Sequence, residues 1–177
     1  SVGLILNGYN RGCVDADSLL LTLIDDEDPE ILCPEDFTVG TDPGLCTAET
    51  DWTVAAIGDN CSSLIYLSST VYSTPSKSTL FGVGTTVVTI FVTDEAGNEG
   101  TCDFSITVED DEDPTANCPA DIIVDTDAGL CSAVVDFDIP APEDNCGATS
   151  TANYNSGIVY DLGTTTVTVT ATDDAGN

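Results

Sequence analysis

The chain has 177 residues, room for two small domains, and a formal net charge of −30, with Arg11 and Lys77 its only cations and no histidine. That charge excludes binding nucleic acid or an anionic membrane surface through the protein's own cations, and the chain repels itself unless ions screen or bind its carboxylates. A 41% hydrophobic content in clean alternation excludes disorder, eight cysteines indicate an oxidising, extracytoplasmic setting, and no stretch approaches the ~18–20 apolar residues of a membrane span.

Taken from the N-terminus, Ser1 to Asn10 (SVGLILNGYN) is too short for a signal peptide and lacks its basic flank, so it reads as a mature start. Cys13 to Pro29 (CVDADSLLLTLIDDEDP) follows as an alternating strand with Leu19, Leu21 and Leu23 on one face. Cys33 and Cys118 then open the same motif 85 residues apart, which divides the chain into an extension (1–24) and two copies of one repeat (25–109 and 110–177). After the first turn of each copy a strand sets Ala48, Thr50, Trp52 and Val54 on one face, matched by Ala133, Val135, Phe137 and Ile139. The penultimate strand turns Val88, Ile90 and Val92 inward, matched by Val167, Val169 and Ala171. The last strand of the first copy turns Phe104, Ile106 and Val108 inward, and the second copy has no counterpart to it. No amphipathic helix is expected. Roughly seven short strands per repeat, separated by Asp-Pro-Gly, Asp-Asn and Ala-Gly-Asn turns, predict two tandem immunoglobulin-like β-sandwiches in an all-β chain.

The motif DxEDPxxxCPxDxxVxTDxGLC (Asp110 to Cys131, and Asp25 to Cys46) recurs with Asp-Asn-Cys (Asp59 to Cys61, Asp144 to Cys146), GTTxVTxxxTDxAGN and CxFxxxVxD. Together these resemble the hyalin repeat (HYR) family from about Asp25 to Asn177. The resemblance implies an immunoglobulin-like extracellular module, usually in tandem, associated with adhesion and assembly rather than catalysis. Two departures stand out: the second copy lacks the final strand and fourth cysteine, and Asp17 aligns with Cys102, which puts Cys13 four residues upstream of the family position.

The first copy holds Cys33, Cys46, Cys61 and Cys102, and four cysteines allow three connectivities. Position at a shared pole favours Cys33–Cys61, and inward strand parity favours Cys46–Cys102, although a standard sandwich sets the starts of those two strands at opposite poles. By analogy Cys118–Cys146 closes the second copy. Cys131 is then left for Cys13 of a neighbouring chain, or both stay free thiols.

A sandwich short of its last strand exposes an apolar groove and an open edge. Leu19, Leu21 and Leu23 of a neighbouring subunit suit that groove, and such donor-strand complementation propagates head to tail into a homopolymer. The competing expectation is that the chain is a two-repeat piece of a longer surface adhesin binding a glycan or protein.

Carboxylates gather in the linkers (Asp25, Asp26, Asp28; Asp110, Asp111, Asp113), in the Asp-Asn loops (Asp59, Asp144) and before the last strand position (Asp94, Asp173). In an immunoglobulin-like sandwich these three places share one pole, so Ca²⁺, which takes 6–8 oxygen ligands, is the expected cofactor. The plain alternative is solvated acidic loops with Asp and Asn present for turn geometry. Asn60-Cys61-Ser62 is a glycosylation sequon, and Ser62 to Thr79 reads as an exposed loop and strand rich enough in Ser and Thr to carry sugars. Without histidine, a phosphate loop or a carboxylate pair in a cleft, the chain is not expected to be an enzyme. The reading is a secreted or cell-surface structural protein.

Overall fold

The computed structural model describes residues 2–10 and 13–177, with side chains from Leu20 onward except those of Leu21, Ile65 and Ser69. The described residues are all-β apart from one short helix. In chain order the elements are β1 (Val2–Asn10), β2 (Cys13–Leu21), β3 (Glu30–Leu32), β4 (Phe37–Gly40), β5 (Thr47–Ala48), β6 (Ala56–Gly58), α1 (Leu64–Thr70), β7 (Tyr72–Thr74) and β8 (Phe81–Gly82). The two long strands β9 (Gly84–Thr93) and β10 (Glu99–Glu109) follow, then β11 (Ser132–Val135), β12 (Ala148–Ala152), β13 (Ile158–Asp161) and β14 (Val169–Asp173).

The largest sheet has the order β4-β10-β9-β7, with β4 parallel to β10 (Phe37 opposite Ile106) and β7 antiparallel to β9. Two-stranded antiparallel pairs complete the rest: β3 with β6, β5 with β8, β11 with β13 and β12 with β14. This all-β set of short strands is consistent with an immunoglobulin-like sandwich, in which alternating apolar strands each bury one face.

The chain divides into two compact units, one formed by Ser1–Glu35, Trp52–Ser76 and Val88–Phe104, the other by Asp36–Asp51, Lys77–Val87 and Ser105–Asn177. In the first, Trp52, Leu67, Val88, Ile90, Val92 and Phe104 are buried, with the Trp52 and Phe104 rings edge-on at 5.5 Å. Tyr72 stacks on Phe91 across the β7–β9 pair at 4.7 Å. The linker backbone leaves no room beside β10: a Cβ on Gly100 would fall 2.0 Å from the carbonyl oxygen of Pro29, so only glycine fits there. In the second unit Ala48, Phe81, Ile106, Val108 and Ala133 are buried.

Three expectations are corrected. First, β2 does not stand free for a neighbour. It pairs antiparallel along its whole length with β1 of the same chain, Val2 opposite Leu21 and Asn10 opposite Cys13. The apolar alternation of SVGLILNGYN makes it a strand, and the nearest partner in sequence closes the cheapest loop. Leu23 lies beyond the strand and is exposed, while the side chains of Leu19, Leu21 and Cys13 lie outside the described residues.

Second, the disulfides are Cys33–Cys102 and Cys46–Cys146, not Cys33–Cys61, Cys46–Cys102 and Cys118–Cys146. The β3–β6 register explains the first change. Leu32 sits opposite Ala56 and Glu30 opposite Gly58, so Cys33 and Cys61 leave opposite ends of the ladder. Cys33 meets β10 instead, with its Cα 5.7 Å from that of Cys102, and Cys46 is left to the second repeat. Cys61, Cys118 and Cys131 are free thiols and exposed.

Third, the Ser/Thr-rich stretch after Cys61 contains a helix. Ser63 caps α1, its Oγ accepting from the Tyr66 N–H at 3.3 Å, and Leu67 is fully buried. Seven residues show too few turns for helical periodicity to stand out from a run of Ser and Thr.

Candidate metal centres

Each unit holds one cluster of three carboxylates. In the first unit these are Asp25, Asp59 and Asp94; in the second, Asp110, Asp144 and Asp173, and in each set one oxygen per residue lies within 4.8 Å of the others. The two clusters are repeat-equivalent position by position, drawn from the linker, the Asp-Asn-Cys loop and the TDxAGN turn.

The turn supplies the most rigid member. After β9 the chain reverses through Asp94 to Asn98, where Gly97 takes the left-handed region (φ 99°). The Asp94 N–H donates to the Asn98 carbonyl at 3.0 Å. The N–H groups of Gly97 and Asn98 donate to Asp94 Oδ1 at 2.6 and 2.7 Å, and Asn98 Nδ2 donates to Oδ2 at 2.7 Å. The same amide donates to the carbonyl of Glu27 at 3.1 Å, which ties the linker to the turn. The second unit repeats this: Gly176 and Asn177 N–H donate to Asp173 Oδ1 at 2.7 and 2.8 Å, and Asn177 Nδ2 reaches Asp173 Oδ2 and the Asp110 carbonyl, both at 3.0 Å.

Asp94 and Asp173 are both buried. Burial works to raise each carboxyl, but donation from the Asn98 or Asn177 side chain and then from three backbone N–H groups outweighs it, holding both below the ordinary carboxylate value. Both carboxylates are thus held ionised without any lysine or arginine.

The Asp-Asn-Cys loop supplies the second member. Asp59 Oδ2 accepts from the N–H groups of Cys61 and Ser62 at 2.9 and 2.6 Å, and Asp144 Oδ2 accepts from Cys146 N–H at 2.8 Å. In both loops the other oxygen, Oδ1, is buried and has no hydrogen-bond partner, as is Asn145 Oδ1. Each is an acceptor with no donor in reach, and a cation is a natural partner for such an oxygen. Carboxylate oxygens are the hard donors that Ca²⁺ takes, 6–8 to an ion, and each cluster brings together three such residues. The Cys61 thiol beside the first cluster is pushed up, by desolvation first and then by the charges of Asp25 and Asp59.

Six of the ten aspartates expected as ligands therefore converge. Asp26, Asp28, Asp111 and Asp113 are exposed and lie outside both clusters. Ala-Gly-Asn marks a turn in the sequence, and the structure adds that Asn98 and Asn177 buttress the aspartate of that turn. Its recurrence in both copies directly after an aspartate turn was the available clue.

Residues 24–108 and 109–177 each match the HYR domain family. Over 158 residues the chain is 33% identical to "Sushi, von Willebrand factor type A, EGF and pentraxin domain-containing protein 1" of Rattus norvegicus, covering 86% of the chain and 4% of that protein. It is 36% identical to "Hyalin" of Strongylocentrotus purpuratus over 111 residues (60% of the chain, 9% of hyalin). With "Hyalin" of Lytechinus variegatus it is 30% identical over 166 residues, 90% of the chain and 31% of the relative. The chain thus spans less than a third of the length of each of these relatives. With matching segments that together take in nearly its whole length, the chain belongs to the HYR domain family, as two tandem members.

Proposed function

We propose that this chain is a secreted or cell-surface structural segment, with adhesion rather than catalysis as its role, in which Ca²⁺ holds each repeat's linker against its own turn. One ion would sit among Asp25, Asp59 and Asp94 and a second among Asp110, Asp144 and Asp173. The observation that carries this reading is the pair of buried, partnerless Oδ1 atoms of Asp59 and Asp144 at equivalent places in the two clusters. The two disulfides suit an oxidising compartment, and no helix among the described residues is long and apolar enough to cross a membrane. Calcium should raise the melting temperature with a midpoint of about 0.1–1 mM, as extracellular modules do. Asp59→Asn and Asp144→Asn should each remove one binding event in calorimetry, while Asp26→Asn leaves both. A melting temperature indifferent to millimolar calcium would end the cation reading.

A second reading, a homopolymer joined head to tail by a donated strand, is favoured by a groove of about 760 Å³ in the second unit. Its walls include Cys118, Ile122 and Val124 on one side and Val167 and Val169 on the other. Ile122 and Val124 are the repeat equivalents of Phe37 and Val39 in β4, and Val167 and Val169 those of Val88 and Ile90 in β9. In the first copy β10 lies between β4 and β9. The donor in a homopolymer would be β2 of a neighbouring chain, released from β1 to take the place that Cys102 to Val108 hold in the first copy. Because β2 is paired with β1, it is a poorer donor than expected. Electron microscopy of the purified chain should show filaments that disperse when a peptide of residues 99–109 is added in excess. Monomers alone would refute assembly.

A further inference from the structure

A loop of the second repeat is locked into a turn of the first. Asn145 Nδ2 donates to Thr41 Oγ1 and to the Leu45 carbonyl, both at 3.0 Å. The next residue on each side forms the Cys46–Cys146 bond, with Cα atoms 4.7 Å apart. All five residues lie within the second unit. This disulfide therefore crosses from one repeat to the next, unlike Cys33–Cys102, which closes one repeat on itself.

Each half of that joint is present a second time. In the turn Thr126 to Cys131, Asp127 N–H donates to the Ser132 carbonyl at 2.8 Å and Leu130 N–H to the Asp127 carbonyl at 2.9 Å. The turn Thr41 to Cys46 has the same pair, Asp42 to Thr47 and Leu45 to Asp42, both at 2.8 Å. Gly129 and Gly44 share the left-handed region that closes the turn (φ 79° and 72°). The loop Asp59 to Cys61 is likewise built as Asp144 to Cys146 is, each cysteine N–H donating to its aspartate Oδ2 at 2.9 and 2.8 Å. Only engagement differs. Thr41 is buried while Thr126 is exposed, and Asn60 Nδ2 donates to Glu27 Oε2 at 2.5 Å rather than to a turn. Cys61 and Cys131 are free, exposed thiols where their equivalents Cys146 and Cys46 are bonded to one another.

We propose that the turn Thr126 to Cys131 is a docking and disulfide site for the Asp-Asn-Cys loop of another HYR repeat, and that Asp59 to Cys61 is the matching plug. Cys131 bonds the loop cysteine of a following repeat, and Cys61 the turn cysteine of a preceding one. The neighbour is a second copy of this chain, because one chain offers both an unfilled turn at Cys131 and an unpaired loop at Cys61. The inference goes beyond the cation reading and needs no cation. Bond formation is ordinary exchange with a low-molecular-weight disulfide such as oxidised glutathione. The Cys131 thiolate attacks one glutathione sulfur and expels glutathione thiolate, which takes up a proton. The Cys61 thiolate then attacks Cys131 sulfur of the mixed disulfide and expels the second. Two protein thiols lose two electrons, and one oxidised glutathione becomes two reduced.

The test uses the chain itself in a glutathione redox buffer, read on non-reducing gels with peptide mapping. Wild type should give covalent multimers linked Cys61 to Cys131. Cys61→Ser and Cys131→Ser should each give none alone, yet an equal mixture of the two should give dimers, since each supplies what the other lacks. Cys118→Ser should behave as wild type, because its repeat equivalent Cys33 bonds within its own repeat. A retained Cys46–Cys146 bond in each variant certifies that it folded. Cross-linking by either single variant to the wild-type extent would overturn the site. In the protein from its natural source, mapping after alkylation identifies the neighbour. Cys131 joined to the Cys61 peptide is the expected result, and Cys131 joined to a peptide foreign to this sequence would overturn a second copy as the neighbour. Both thiols recovered free would overturn the proposal.

Discussion

The two repeats carry nearly the same penultimate strand, yet its inward face meets different surroundings. In the first, Val88, Ile90 and Val92 are fully buried, on a strand flanked by β10 and β7. In the second, the equivalent Val167, Val169 and Ala171 are only half-buried, Ile122 and Val124 are exposed, and the groove stands between them. Burial is thus not a property of the alternating pattern. The pattern offers an apolar face, and a neighbouring strand decides whether that face becomes core. In the first repeat the strand carrying Phe104, Ile106 and Val108 does this, and Cys33–Cys102 fastens it in place.

Truncation at matched positions breaks the comparison most directly. Ile90→Ala removes a fully buried side chain and should cost about 2–5 kcal/mol. Val169→Ala, on the half-buried counterpart, should cost about 1 kcal/mol or less. Urea unfolding separates them, because Trp52 is the sole tryptophan and reports the first repeat through its contact with Phe104. Equal costs at the two positions would mean that the groove is filled in solution, and the contrast between the repeats would fail.

Local features were legible in the sequence, and long-range ones were not. The period-two alternation through Val88 to Val92 and Phe104 to Val108 marks both buried faces. Of the expected face Ala48, Thr50, Trp52 and Val54, the first three are buried and Val54 is half-buried, while the strand itself is only Thr47–Ala48. The three sources of each acidic cluster could be named because they recur in both copies; which linker carboxylate turns inward depends on backbone geometry, and Asp25 was not separable from Asp26 and Asp28. The cysteine pairing failed because each repeat was treated as closed. Cys46 finds its partner 100 residues away in the next repeat, and a loop of that length costs little more to close than one half as long. The β1–β2 pairing is hidden for the opposite reason: SVGLILNGYN matches no repeat, so only its own short alternation marks it as a strand.

The smallest expected effect concerns acid. Asp94 and Asp173 have folded-state pKa values held below the ordinary carboxylate value by the Asn98 and Asn177 turns. A depressed folded pKa contributes stability that is present above the unfolded carboxylate value and is lost as pH falls through the folded one. In calcium-free buffer each repeat should therefore lose stability on acidification below the ordinary carboxylate range, where Asp94→Asn and Asp173→Asn flatten the curve in their own repeat. The same donors face both carboxylates, but Asp94 is 1% exposed and Asp173 8%. Asp94→Asn should consequently flatten the first repeat's acid limb at least as strongly as Asp173→Asn flattens the second's. Melting curves taken from neutral to acid pH decide the matter. An acid limb unchanged in Asp94→Asn would mean that the turn holds its carboxylate no more tightly than the unfolded chain does.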